Sequence, residues 1–152
     1  SGFEKGISVA MAALAGCNGI SESSGMLASL MGCSYESLVI DNEMLGVIMR
    51  TVKGIEVSDE TLSLEVIKEA VFGDGHFLRS GQTLEKMKSE YFYPEILDRK
   101  SQLEWREDGS LDIRKRAEIK VKQILENHSP LYIDKKADSL IRQNFPIQID
   151  FS

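Results

Sequence analysis

The sequence predicts an α/β protein dominated by helices, with one or two short strands. Three observations carry that expectation. The first is a long amphipathic stretch, Ser34–Glu56. The second is the order of short elements ahead of it, which reads helix, strand, polar loop, helix. The third is a succession of helical patterns behind it, separated by turns rich in glycine and aspartate.

Phe3–Gly16 reads as the first helix, with Ile7, Met11 and Leu14 on one face and Ala10, Ala12, Ala13 and Ala15 allowing close packing. Cys17–Ser21 is short and flanked by glycines, consistent with a buried strand. Ser21–Gly25 is a polar loop, and Met26–Met31 opens a short helix before Gly32. This is the grammar of αβα units, where functional loops follow the C-terminal ends of strands.

Ser34 is a helix N-cap, with Glu36 in the first turn, where the dipole favours negative charge. Leu38, Leu45, Met49 and Val52 follow at helical spacing, and Met44 and Ile48 widen the stripe. Arg50 and Lys53 fall in the last turn, and Gly54 stops the helix. Asp41, Asn42 and Glu43 read as a polar face packed by neighbours.

Beyond Gly54 the charge density rises. Residues 1–56 hold six acidic and three basic side chains, and the remainder hold eighteen and fifteen. Ser58 starts a helix with Leu62, Val66 and Ala70 on one face, ending at Phe72-Gly73. Gly73-Asp74-Gly75 is a turn that His76-Phe77-Leu78 leaves as a short extended piece. Gln82–Ser89 is a short helix, and Tyr91-Phe92-Tyr93 before Pro94 forms an aromatic anchor. Lys100–Arg106 makes a helical turn or two around a buried Trp105. Asp112–Asn127 is the second long helix, lined by Ile113, Ala117, Val121 and Ile124. Asp134–Asn144 is the last helix, stopped by Pro146, and Ile147–Phe151 is an extended tail.

At 152 residues the chain fits one domain, and 42% hydrophobic with 28% charged residues is a soluble globular composition. A net charge of −6 lacks the basic footprint of a nucleic-acid binder. No apolar run reaches membrane-spanning length and no signal peptide is visible, so neither a membrane nor a nucleic acid is expected as partner. Cys17 and Cys33 sit in small or apolar surroundings and are expected as buried free thiols, which suits a reducing cytoplasm. Two lone histidines and two distant cysteines make no metal site. Ser1-Gly2 reads equally as a cloning scar, a cut site or native sequence, so a fragment is among the expectations.

Several segments together resemble the C-terminal part of the trimethylamine methyltransferase family. They are AALAGCNGI (12–20), SYESLVIDNEMLG (34–46), KGIEVSDETLSLEVIKE (53–69), GHFL (75–78), QTLEKMKSEYFYPEILDR (82–99) and YIDKKADSLIRQNFPI (132–147). The resemblance covers nearly the whole chain in order, which makes it specific for the family and weak for the substrate. It implies the C-terminal segment of a (β/α)8 barrel, with 1–56 as the last αβα elements and 57–152 as a helical elaboration packed on them. A whole barrel needs about 250 residues. It also implies transfer of a methyl group from a methylated amine to the cobalt of a corrinoid protein, with no cofactor bound directly by this chain. The trimethylamine enzymes of the family carry a pyrrolysine on a barrel segment that should precede this chain. Many relatives lack it and act on quaternary amines such as betaines.

Such chemistry needs the methyl held on axis, a cation stabilised and water excluded. Aromatic faces or a carboxylate suit an ammonium, and backbone N–H groups at a helix start suit a betaine carboxylate. Ser21-Glu22-Ser23-Ser24-Gly25 has the position and composition for that work. On the functional reading Glu22 faces the ammonium and Ser21 or Ser23 orients the substrate. On the plainer reading Ser23 or Ser24 caps a helix at Met26 and Glu22 favours its dipole. Relatives often carry a small, glycine-rich loop after a His or Ser there, so Glu22 departs from the usual pattern. His76 belongs to the family pattern and is a pocket candidate, with a hydrogen-bonded packing role as the plainer reading. His128 is most simply a helix C-cap. Tyr91, Phe92, Tyr93 and Trp105 are either an ammonium cage or anchors for the C-terminal helices. The basic residues of 114–122 are either a solvated face or a dock for an acidic corrinoid protein. The competing class is a non-catalytic module that completes a split barrel or docks the corrinoid protein. Studied alone, the chain is expected to expose apolar faces of Phe3–Met31 and to self-associate.

Overall fold

A computed structural model describes residues 2–128 and 132–147. Eight helices and one two-stranded antiparallel sheet occur among them: α1 (Gly2–Leu14), β1 (Met26–Leu27), β2 (Gly32–Cys33), α2 (Tyr35–Lys53), α3 (Asp59–Leu62), α4 (Leu64–Phe72), α5 (Gly81–Ser89), α6 (Gln102–Glu107), α7 (Ile113–Asn127) and α8 (Lys135–Asn144). Most of the expected Ile147–Phe151 tail lies outside the described residues.

Helix α2 is the hub, packing α1 on one side and α7 on the other. Its ends are those its sequence specifies. The Ser34 side chain accepts the N–H of Ser37, and Gly54 closes the helix at φ 69°, a conformation that favours glycine. Asp112 and Asp134 cap α7 and α8 in the same way, accepting from Lys115 and from Lys136 and Ala137. His128 follows α7 as its C-cap, its backbone N–H donating to Ile124.

Several local expectations are corrected. Cys17–Ser21 is not a strand. A strand needs a neighbour to complete its ladder, and the sheet among the described residues is formed elsewhere. Met26–Met31 is not a helix: Met26 pairs with Cys33 and Leu27 with Gly32, and the hairpin tip holds Ala28, Ser29 and Leu30 at φ 50°, 53° and 70°. The helix expected from Ser58 to Phe72 breaks at Ser63, which adopts φ 56° while its hydroxyl donates to the carbonyls of Glu60 and Thr61. His76-Phe77-Leu78 bends into a turn closed by the Ser80 N–H on the Phe77 carbonyl. Cys17 and Cys33 are both free and exposed rather than buried.

The core is small. Its buried apolar residues are Val9, Ile48, Ala70, Ile96, Ala117 and Val121. The stripe of Ile7, Met11 and Leu14 on α1 points outward, because the helix uses its other face, through Gly6 and Val9, against α2. Met49 is likewise exposed, and α2 buries Asp41, Glu43 and Ile48 instead. Of the aromatic anchor, Phe92 docks: its ring lies so close to Gly46 that a Cβ there would meet Cζ at 2.4 Å. The accessible surface is 12474 Å². A closed monomer of 17.0 kDa exposes about 7,700 Å². By itself the chain does not close a core of the size its length permits.

Candidate functional site

The Ser21–Gly25 loop leaves α1 through Cys17–Ile20 and enters β1. No helix begins at Met26, so neither Ser23 nor Ser24 is a cap, and the plainer reading of the loop is corrected. The hydroxyls of Ser21 and Ser23 and the carboxylate of Glu22 make no hydrogen bond to other described residues. Ser21 and Glu22 are exposed, and Ser23 is half-buried. Glu22 adopts φ 56°, in the left-handed region.

The loop's far end is held differently. The Gly25 N–H donates to Asp41 Oδ2 at 2.8 Å, and its carbonyl accepts from the Ser34 N–H at 3.2 Å. Asp41 Oδ2 also accepts from Lys5 Nζ at 2.6 Å and from the Ser37 hydroxyl at 3.1 Å. Lys5 reaches Ser37 Oγ as well, at 3.0 Å. Gly25 sits at φ 80°, and a Cβ there would lie 2.5 Å from Leu38 Cδ2. Glycine is required on both counts.

His76 lies on the turn after α4. It is exposed and makes no hydrogen bond or ion pair with the Ser21–Ser23 loop, so the packing role is corrected and the four sequence candidates do not converge. A groove of about 720 Å³ opens between the end of α2 and α3–α5, with Phe77, Met87 and Tyr91 in its wall. Arg50, Lys53 and Lys86 line it too. Arg50 and Lys53 pair with Glu90 at 2.7 and 3.6 Å, and Lys86 pairs with Glu60 at 3.6 Å. Glu56 and Glu90 line the groove beside these cations, so its wall carries charge of both signs. Tyr91 and Tyr93 are exposed, with ring centroids 6.3 Å apart and planes tilted by 35°, and Trp105 spends its indole N–H on the Leu111 carbonyl at 3.1 Å. These aromatics form no cage.

Sequence reasoning placed Asp41 and Glu43 on a packed polar face and missed what they bind. Two positions apart on a helix, they point about 200° apart. The Glu43 carboxylate accepts the backbone N–H groups of Glu95, of Ile96 at 2.7 Å and of Leu97 at 3.0 Å. For Asp41 the available signal was charge on a helix face otherwise filled by Leu38, Leu45 and Ile48. On α7, Glu118 pairs with both Lys115 and Lys122, Arg116 pairs with Asp98 at 3.3 Å and Lys120 with Glu95. Much of the basic face is therefore spent within the chain. Among the described residues no group of three or more His, Cys, Asp or Glu side chains is placed to hold a metal ion, and no helix is long and apolar enough to cross a membrane.

Comparison with known proteins gives a family. The profile of the trimethylamine methyltransferase (MTTB) family matches residues 1–146. The chain is 30% identical over 142 residues to a glycine betaine methyltransferase of Desulfitobacterium hafniense, covering 93% of this chain and 29% of that protein. It is 38% identical over 137 residues to trimethylamine methyltransferase MttB of Methanosarcina thermophila, covering 88% and 27%. A trimethylamine methyltransferase MttB of D. hafniense is 34% identical over 132 residues, covering 87% and 26%. The chain spans little more than a quarter of the length of these relatives.

Proposed function

The chain belongs to the trimethylamine methyltransferase family, and we propose that it forms the terminal part of a (β/α)8-barrel enzyme moving a methyl group from a methylated amine to the Co(I) of a corrinoid protein. The observation that carries this reading is the match of residues 1–146 to a family whose similar members are more than three times as long. The surface left open by the chain accords with it, above all the outward stripe of Ile7, Met11 and Leu14. On this reading residues 1–56 contribute α1, the β1–β2 hairpin and α2 to the end of the barrel, and residues 57–152 pack outside them. The donor is trimethylamine or a quaternary amine such as a betaine.

The partner's cobalt supplies the nucleophile, and the electron pair of the breaking C–N bond stays on the amine nitrogen. This chain's task is to hold the donor. Glu22 provides a carboxylate for the ammonium, and Ser21 or Ser23 provides a hydroxyl that orients it. Their side chains make no hydrogen bond among the described residues, which leaves them open to a ligand. Covering the loop with the rest of the barrel would exclude water and strengthen the carboxylate–ammonium attraction. His76, equally open, is the second candidate at the pocket.

The test is methylation of cob(I)alamin or the corrinoid protein by the full-length enzyme with a panel of methylated amines. Glu22→Gln is expected to lower kcat/KM by about tenfold or more, since a charge contact in a dry site is worth over 1.4 kcal/mol. Unchanged kinetics would remove Glu22 from the site. Turnover with none of the amines would remove the assignment.

A further inference from the structure

We infer that Asp41 is a positioning residue, whose buried carboxylate pins the end of the Ser21–Gly25 loop to α2 and so sets where Glu22 and its neighbouring hydroxyls stand. The inference rests on the reading above that this loop faces the substrate. Asp41 is 4% exposed and occupies the helix face shared by Leu38, Leu45 and Ile48. An apolar side chain is the ordinary occupant of such a place, and exchanging a buried ion pair for apolar residues is often neutral or stabilising. What keeps an acceptor there is the buried Gly25 N–H, which ties the loop to α2.

What the carboxylate does is gather donors from three directions. Lys5 comes from α1, Ser37 from the first turn of α2, and the Gly25 N–H from the loop, all onto Oδ2. With the Ser34 N–H on the Gly25 carbonyl, both backbone polar groups of Gly25 are tied to the start of α2. Three residues earlier, Glu22 holds a left-handed conformation at φ 56° with no hydrogen bond of its own side chain to maintain it. That geometry is imposed through the anchored end.

The experiment uses the full-length enzyme with three changes: Glu22→Gln, the charge-free pair Lys5→Met with Asp41→Leu, and all of these together. Apolar replacements keep the packing but leave the Gly25 N–H and the Ser37 hydroxyl without their acceptor, so the paired variant is expected to melt below the parent while remaining folded. Exchange of the Gly25 amide should accelerate about tenfold or more, while amides of α7 stay protected. KM for the amine should rise about tenfold or more with a smaller change in kcat, because ground-state placement is what is lost. Adding Glu22→Gln should then cost less than it does in the parent, since both changes act on one contact. A folded paired variant with normal KM, or with a still-protected Gly25 amide, overturns the inference. If Glu22→Gln is silent while the paired variant raises KM, Asp41 still positions the loop and the assignment to Glu22 alone falls.

Discussion

The two sides of α2 are built on the same device and end differently. On each, a buried carboxylate reaches across to a backbone segment that is not its sequence neighbour. Glu43 gathers the N–H groups of residues 95–97, and around that tie stand Ile96, the Phe92 ring on Gly46, the Arg116–Asp98 and Lys120–Glu95 pairs, and the buried Ala117 and Val121 of α7. Asp41 gathers one loop N–H, one hydroxyl and one ammonium. Beyond it lie an exposed loop, a strained hairpin tip and an outward apolar stripe on α1. The Glu43 side closes on itself; the Asp41 side presents a surface. Identical chemistry serves packing in one place and placement in the other, according to whether the tied segment leads into a core or into an open loop.

The sharpest way to break this contrast is at Glu43. Glu43→Ala leaves three backbone donors with no acceptor in a half-buried turn, and a loss of about 3–5 kcal/mol is expected. Urea unfolding should show it, with amides of 113–127 losing protection first. A loss below about 1 kcal/mol would mean that the turn after Pro94 is held by packing alone.

A smaller effect of opposite sign is expected at the hairpin tip. Ser29 stands at φ 53° between two other left-handed residues. Ser29→Gly relieves about 1–2 kcal/mol of strain and gives back part of it as unfolded-state entropy, for a net gain of about 0.5–1 kcal/mol. A melting temperature that falls would show that the tip's conformation is supported by contacts of the serine.

The smallest effect belongs to the surface of α7. Hydrogen bonds and charge from Lys115 and then Lys122 hold the Glu118 carboxyl down to about 2, from an ordinary 4.5. A folded-state pKa below the unfolded one contributes stability that is complete above 4.5 and lost as pH falls toward 2. Both pairs are solvent-exposed, so the loss of helix signal should be slight and should vanish in high salt. Glu118→Gln should flatten it. A large, salt-insensitive acid transition assigned to Glu118 would contradict the division between buried ties and surface pairs.

Much of the helical plan was legible because it is local. Ser34, Gly54, Asp112 and Asp134 end their helices by contacts with residues at most three or four positions away, and such contacts are written in the sequence. The polar Ser21–Gly25 loop was legible from its composition, though not the Asp41 contact that holds its end. The Cys17–Ser21 strand and the Met26–Met31 helix failed because a segment of five or six residues does not state its partner, and Gly25 and Gly32 bracket a hairpin as readily as a helix. The outward turn of Ile7, Met11 and Leu14 was hidden because α1 carries apolar residues on more than one face.

Taken by itself, the sequence determined where the long helices lie, how they are capped, and which family the chain resembles. The tertiary structure alone decided that Asp41 holds Gly25, sixteen residues back, and that Glu43 holds Glu95, Ile96 and Leu97 some fifty residues on. A helix cap is chosen within one turn of chain. The donor for a buried carboxylate is chosen by whichever distant backbone the packing brings within hydrogen-bond reach.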